Sequence, residues 1–166
     1  MGQKGSLQLQ HEAYMGRDTL FDGLAEHAQA LATMRDCWAL WQRHTDPSLS
    51  KGALKELRVA AGNKFATRLL EAQNNTAVVP VLEAVLQLDP TNPLASAYLG
   101  IALKLLEEYE RAVPLLMHAL DHEPSVANNL KFFYHLGDAL QRTKRNELAQ
   151  QVFQRGVDSK LFMSVW

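Results

Sequence analysis

Apolar side chains recur along this chain at steps of three and four residues, and strict alternation is not seen. Leu20, Leu24, His27, Leu31, Met34, Trp38 and Trp41 run through residues 19–44 in this way and predict a long amphipathic helix. The stretch "TDPSLSKG" breaks it, and a second apolar run leads on from Ala53. At "DPTNP" one helix ends and the next begins, with Asn92 placed to cap it and Pro93 at its first position. "EPSVANN" acts similarly, though less sharply. The pattern predicts an all-α fold.

A longer period lies over the helical one. Pro90 and Pro124 are 34 residues apart, as are Pro80 and Pro114, and Ala66 and Gly100. Such a period marks a repeated helix pair. The unit beginning at Pro93 resembles the tetratricopeptide signature at Leu99, Gly100, Tyr109, Ala112, Leu116, Ala119 and Pro124. This resemblance implies a superhelical stack of antiparallel helix pairs, a right-handed solenoid. About three units are expected, over 59–92, 93–126 and 130–161, with a C-terminal tail completing the region 59–166. Residues 19–58 are expected to form N-terminal capping helices, and 1–18 a flexible end. Gly100, Gly137, Ala112 and Ala119 then stand where paired helices cross, because a larger side chain would hold the backbones apart. Pro80 and Pro114 fall inside second helices, where proline removes a hydrogen bond; those helices either begin late or bend.

Composition removes several classes of function. Of 166 residues 47% are hydrophobic, enough for a continuous core, and the formal net charge is −1. No general field therefore favours nucleic acid or an anionic membrane. Cys37 is the sole cysteine, so no disulfide forms within the chain. No apolar run reaches the length of a membrane span, and no signal-peptide pattern opens the chain. "MGQKGS" fits the loose acylation pattern at Gly2.

Two stretches carry a sharper resemblance. "YHLGDALQR" (134–142), then a helix ending at Gly156 and the run Ser164-Val165-Trp166, is similar to the segment joining the repeats to the catalytic domain in aspartyl/asparaginyl β-hydroxylases. The repeat containing Pro114 resembles the preceding repeat of that family. The resemblance implies an Fe(II)- and 2-oxoglutarate-dependent dioxygenase of Asp and Asn side chains in EGF-like domains, working in the endoplasmic reticulum. The family's iron-binding histidines, 2-oxoglutarate-binding arginine and membrane anchor have no counterpart here, so this chain is expected to bind no cofactor and not to catalyse. It reads as a segment that recruits a polypeptide, either an EGF-like substrate or its own hydroxylase domain. The alternative is a free-standing, cytoplasmic adaptor for an unrelated peptide.

Candidate chemistry outside the repeats is sparse. His44, Thr45 and Asp46 copy the His-x-Asp pair of an iron site, yet they precede Pro47 and read better as turn chemistry. His118 and His122 have a chelating spacing without an acidic or cysteine partner. Cys37 reads as a buried thiol, and Arg142, Lys144 and Arg145 as a solvated turn. No metal site is expected. The concave face lined by the first helix of each pair is the candidate site: Asn63 and Thr67, then Ile101 and Lys104, then Lys131, Tyr134, Asp138 and Arg142. Aromatic anchors beside charges suit an extended segment. Asp138 and Arg142, four apart, read equally as a plain surface pair. Tetratricopeptide domains that clamp chaperone carboxylates use a five-residue set of which only Lys131 matches, with Asn63, Thr67, Tyr98 and His135 departing from it.

Overall fold

A computed structural model describes residues 5–45, 47–123, 125 and 130–158, the side chains of 130 and 131 excepted. Among these residues the chain is entirely helical: α1 (Ser6–Gly23), α2 (His27–Arg43), α3 (Lys51–Glu71), α4 (Asn75–Leu88), α5 (Pro93–Leu105), α6 (Tyr109–His122), α7 (Leu130–Arg142) and α8 (Asn146–Asp158). They fall into two units, Met1–Pro90 and Thr91–Trp166. In the first, α1 packs on α2, α2 on α3 and α3 on α4. In the second, α5 packs on α6, α6 on α7 and α7 on α8, while α5 also touches α7.

Each helix pair is closed by a three-residue turn of one design. Ala25, Gln73, Glu107 and Lys144, the middle residues, have φ of 57°, 57°, 65° and 61°. The next amide donates back across the helix end in every case: Glu26 to Phe21, Asn74 to Leu69, Glu108 to Leu103, and Arg145 to Leu140, at 2.8–2.9 Å. This left-handed cap usually takes glycine. Here four other residues occupy it, which is why sequence alone did not mark the turns. They divide the described residues into four helix pairs.

The N-terminal region departs most from expectation. Ser6–Asp18 belong to α1 and are not a flexible end. Residues 19–44 are not one helix either, since the turn at Leu24–Glu26 divides them. The cause is an inverted pattern: α1 buries His11 and Asp18 and exposes Leu9 and Leu20, and Leu24 just after it is exposed too. Farther along, α3 starts at Lys51, well before residue 59, with the Ser50 hydroxyl accepting from the Ala53 amide at 3.1 Å. Asn92 caps α5 through its side-chain oxygen, 2.9 Å from the Ala95 amide, and Pro93 is the first helical residue.

Tight crossings hold the pairs together. A Cβ on Gly100 would lie 2.6 Å from Leu116 Cγ and 3.3 Å from the Ala112 carbonyl oxygen; one on Gly137 would overlap the Phe153 ring. Ala112 and Ala119 are fully buried in α6. Gly62, which the repeat pattern did not mark, is a third crossing: its Cβ would overlap Val85 and come 2.9 Å from Trp38. Pro80 and Pro114 sit inside α4 and α6, so late helix starts do not account for them. Both prolines are exposed, as are Thr76 and Glu110, whose carbonyls lose their helical partner.

Candidate functional site

In the second unit the helical register of α5 and α7 brings Lys104 beside Tyr134, Asp138 and Arg142. Lys104 sits in the last turn of α5, next to a helix C-terminus that favours its charge. Its Nζ lies 2.8 Å from Asp138 Oδ2 and 4.9 Å from the centre of the Tyr134 ring. Arg142 approaches the other carboxylate oxygen less closely, with Nε 3.6 Å from Oδ1, and its guanidinium lies 5.8 Å from the Tyr109 ring. The main partner of Asp138 is therefore Lys104, on a different helix. The four-apart pair with Arg142 is secondary. Hydrogen bonding from Lys104 holds the Asp138 carboxyl below its ordinary range, against the opposing effect of burial.

Exposure separates the parts of this cluster. Lys104 is buried, whereas half of Tyr134 is open to solvent and the Arg142 side chain is 60% exposed. The cluster carries two cations and one carboxylate beside an exposed aromatic ring. Ile101, one turn before Lys104, is half-buried. The side chain of Lys131 lies outside the described residues.

The two remaining candidates belong to the first unit and offer less. Asn63 is buried, and the Thr67 hydroxyl donates at 3.0 Å to the Asn63 carbonyl within α3. That bond satisfies the hydroxyl inside its own helix.

The first unit contains two polar clusters absent from the sequence expectations. Asp18 on α1 accepts two hydrogen bonds from Arg68 on α3, Nε to Oδ1 at 2.7 Å and Nη2 to Oδ2 at 2.8 Å. Arg68 Nη1 also reaches Asp22 at 2.7 Å and Glu71 at 2.8 Å, and Lys64 Nζ lies 3.4 Å from Asp18. Asp18 and Arg68 are both sealed from water. Asp22, His27 and Glu71 converge as a cation site would, but Arg68 already donates to both carboxylates. In the second cluster, Trp41 Nε1 donates to His11 Nδ1 at 3.0 Å, and Cys37 Sγ lies 3.7 Å from the same nitrogen. Burial depresses the His11 pKa below its ordinary 6.5 and pushes the Cys37 thiol up to about 12. A thiol so protonated is a poor nucleophile.

The other sequence candidates take ordinary places. His44 ends α2, with its carbonyl accepting from Arg58 at 3.3 Å; Asp46 lies outside the described residues. The His118 and His122 rings stack with centres 4.0 Å apart, and His122 Nδ1 lies 2.9 Å from the His118 carbonyl oxygen. Arg145 pairs with Glu110 at 3.1 Å. Gly2, Pro124, Asn128 and Ser164-Val165-Trp166 lie outside the described residues.

No protein-family model matches the chain. Among curated proteins it is similar to the aspartyl/asparaginyl beta-hydroxylase of Mus musculus, 28% identical over 142 residues, which are 86% of this chain and 18% of that protein. Against the Homo sapiens protein of the same name it is 31% identical over 104 residues, 63% of this chain and 14% of that one. The chain thus spans less than a fifth of the length of these relatives. Among solved structures, a MamA fragment (41-end) from Desulfovibrio magneticus RS-1 superposes with a TM-score of 0.68 at 21% identity, covering 93% of this chain and 76% of that one. YrrB, described as a TPR protein with an unusual peptide-binding site, gives 0.65 at 14% identity, covering 89% and 68%. The C-terminal TPR-containing domain of a Plasmodium falciparum putative FK506-binding protein gives 0.69 at 16% identity, covering 87% and 97%. The fold is the tetratricopeptide one.

Proposed function

We propose that this chain is a polypeptide-binding module whose recognition surface in the second unit is centred on Tyr134 and Arg142. The observation that carries the reading is an exposed aromatic ring and an exposed guanidinium set beside the Lys104–Asp138 pair, of which only Lys104 is buried, on adjacent first helices. The pair orders α5 against α7, and the ring and guanidinium are left to meet a ligand. A carboxylate on the bound segment would approach Arg142, and an apolar side chain would lie on Tyr134. Similarity to the hydroxylases supports a finer role, in which the module recruits or orients an EGF-like domain for hydroxylation of Asp or Asn in the endoplasmic reticulum. The same fold in YrrB, described as a TPR protein with an unusual peptide-binding site, supports a second reading, an adaptor for an unrelated peptide. No helix among the described residues is long and apolar enough to cross a membrane.

Titration of a folded EGF-like domain against the wild-type chain and a Tyr134→Ala/Arg142→Ala variant tests both levels. Saturable binding weakened at least about tenfold in the variant, a loss of 1.4 kcal/mol, supports recruitment through this surface. Equal affinity for the two proteins overturns the placement of the site. Absence of binding to the wild type removes the EGF-like partner and leaves the adaptor reading.

A further inference from the structure

On α1, the face turned away from the rest of its unit reads Leu9, Ala13, Gly16, Leu20 and Gly23, all exposed. Their steps of four, three, four and three are those of a two-stranded coil seam. Leu9 and Leu20 leave 53% and 58% of their surface in water. A Cβ placed on Gly16 or Gly23 would meet nothing within 4 Å. Glycine weakens a helix interior, and no contact among the described residues accounts for either of these two. In a polar helix end-cap this face would be charged, as terminal repeats require for solubility.

The flanking charges identify what fits. Glu12 precedes one seam position and Arg17 follows the next, on opposite sides of the stripe and both exposed. In two parallel helices in register, a residue just before one seam position faces the residue five places later on the partner. Glu12 then meets Arg17 of a second copy, and the two-fold axis repeats the contact. An antiparallel pair would instead set like charges on the same side. Arg17 already lies over its own Tyr14 ring, 4.8 Å from the centre, within reach of that flank.

We propose that α1 is the seam of a parallel, two-fold homodimer with Gly16 at its closest approach. A single helix pair of 18 residues each covers less than the roughly 1,200 Å² of a stable interface. The dimer is therefore a weak, transient one, to be sought at protein concentrations of about 10 to 100 µM.

Sedimentation equilibrium of the full chain across that concentration range tests the proposal. The expected result is a reversible monomer–dimer transition, lost in Leu20→Arg. That side chain is mostly exposed, so the variant keeps its fold, which Trp38 and Trp41 fluorescence verifies. Glu12→Arg alone weakens association about tenfold, and Glu12→Arg/Arg17→Glu restores it. A monomer at every concentration, or a dimer indifferent to Leu20→Arg, overturns the proposal. A swap that fails to restore association overturns the parallel register.

Discussion

Asp18–Arg68 in the first unit and Lys104–Asp138 in the second each tie the first helix of one pair to the first helix of the next. Their surroundings differ. Asp18 and Arg68 are 0% and 3% exposed, and further carboxylates from Asp22 and Glu71 also accept from the guanidinium. Around Lys104 and Asp138 the polar cluster opens outward, through Tyr134 and Arg142. A joint between first helices is sealed in one unit and displayed in the other. A sealed ion pair can only hold helices in register, while a displayed one can also order groups that touch a ligand. The proposed recognition surface in the second unit rests on this difference.

The largest expected effect comes from unsealing the first joint. Asp18→Ala leaves Arg68 buried without its bidentate partner, and should destabilise the first unit by about 3–5 kcal/mol. Urea unfolding followed by Trp38 and Trp41, both in that unit, measures it. Replacing both partners, Asp18→Leu/Arg68→Met, should recover most of the loss, because no charge is then stranded. A cost below about 1 kcal/mol for Asp18→Ala would mean that the joint behaves as a surface pair. Lys104→Met, at the displayed joint, should cost less, since water reaches Asp138.

Next in size is the crossing in the second unit. Gly137→Ala sets a methyl into the Phe153 ring, and Phe153 is only half-buried, so the ring can yield partly. The expected cost is about 1–3 kcal/mol, read by thermal unfolding. A Phe153→Leu background should reduce it. Stability unchanged by Gly137→Ala would show that α7 and α8 separate freely at this point.

Gly100 was legible because the 34-residue period pairs it with Ala66 where helices must cross, Gly137 because the unit from 130 offers the same small residue 37 positions on, and "TNP" declares a capped helix start. The joints were not. Asp18 and Arg68 are 50 positions apart, and Lys104 and Asp138 are 34 apart; only the stacking of first helices brings them together. Local spacing instead suggested Asp138 with Arg142. In α1 the rule that apolar residues turn inward fails outright, since His11 and Asp18 are inside and Leu9 and Leu20 outside. A buried polar residue satisfied by a distant helix leaves no periodic trace. Nor did the turns announce themselves, with alanine, glutamine, glutamate and lysine in the position usually given to glycine.

Acid should separate the two units. His11 is held neutral in the fold, with a pKa below 6.5, while the unfolded chain takes up a proton near 6.5. Its contribution is therefore full above that pH, falls as pH drops through 6.5, and stops changing once pH passes the folded value. Asp138 behaves as a carboxylate with a depressed pKa. Its contribution is full above its ordinary 3.8 and is lost only as pH falls below that, through the folded value. Between pH 6.5 and 4, hydrogen exchange should rise in the first unit before the second, and His11→Phe should flatten the difference. Simultaneous loss of protection would break the contrast.

The smallest effects concern the turns, and there the two units should agree. A non-glycine residue at φ near 60° costs about 1–2 kcal/mol relative to its preferred conformations. Glycine removes that cost but adds freedom to the unfolded chain. Gln73→Gly in the first unit and Lys144→Gly in the second should each therefore stabilise by roughly 0.5–1 kcal/mol, seen as a higher urea midpoint with an unchanged slope. Both side chains are exposed, so no packing is lost. Equal gains would mean that the turn is a shared part of the repeat, indifferent to what its helices bury. A gain in one unit only would show that the sealed interior also governs the backbone at its end.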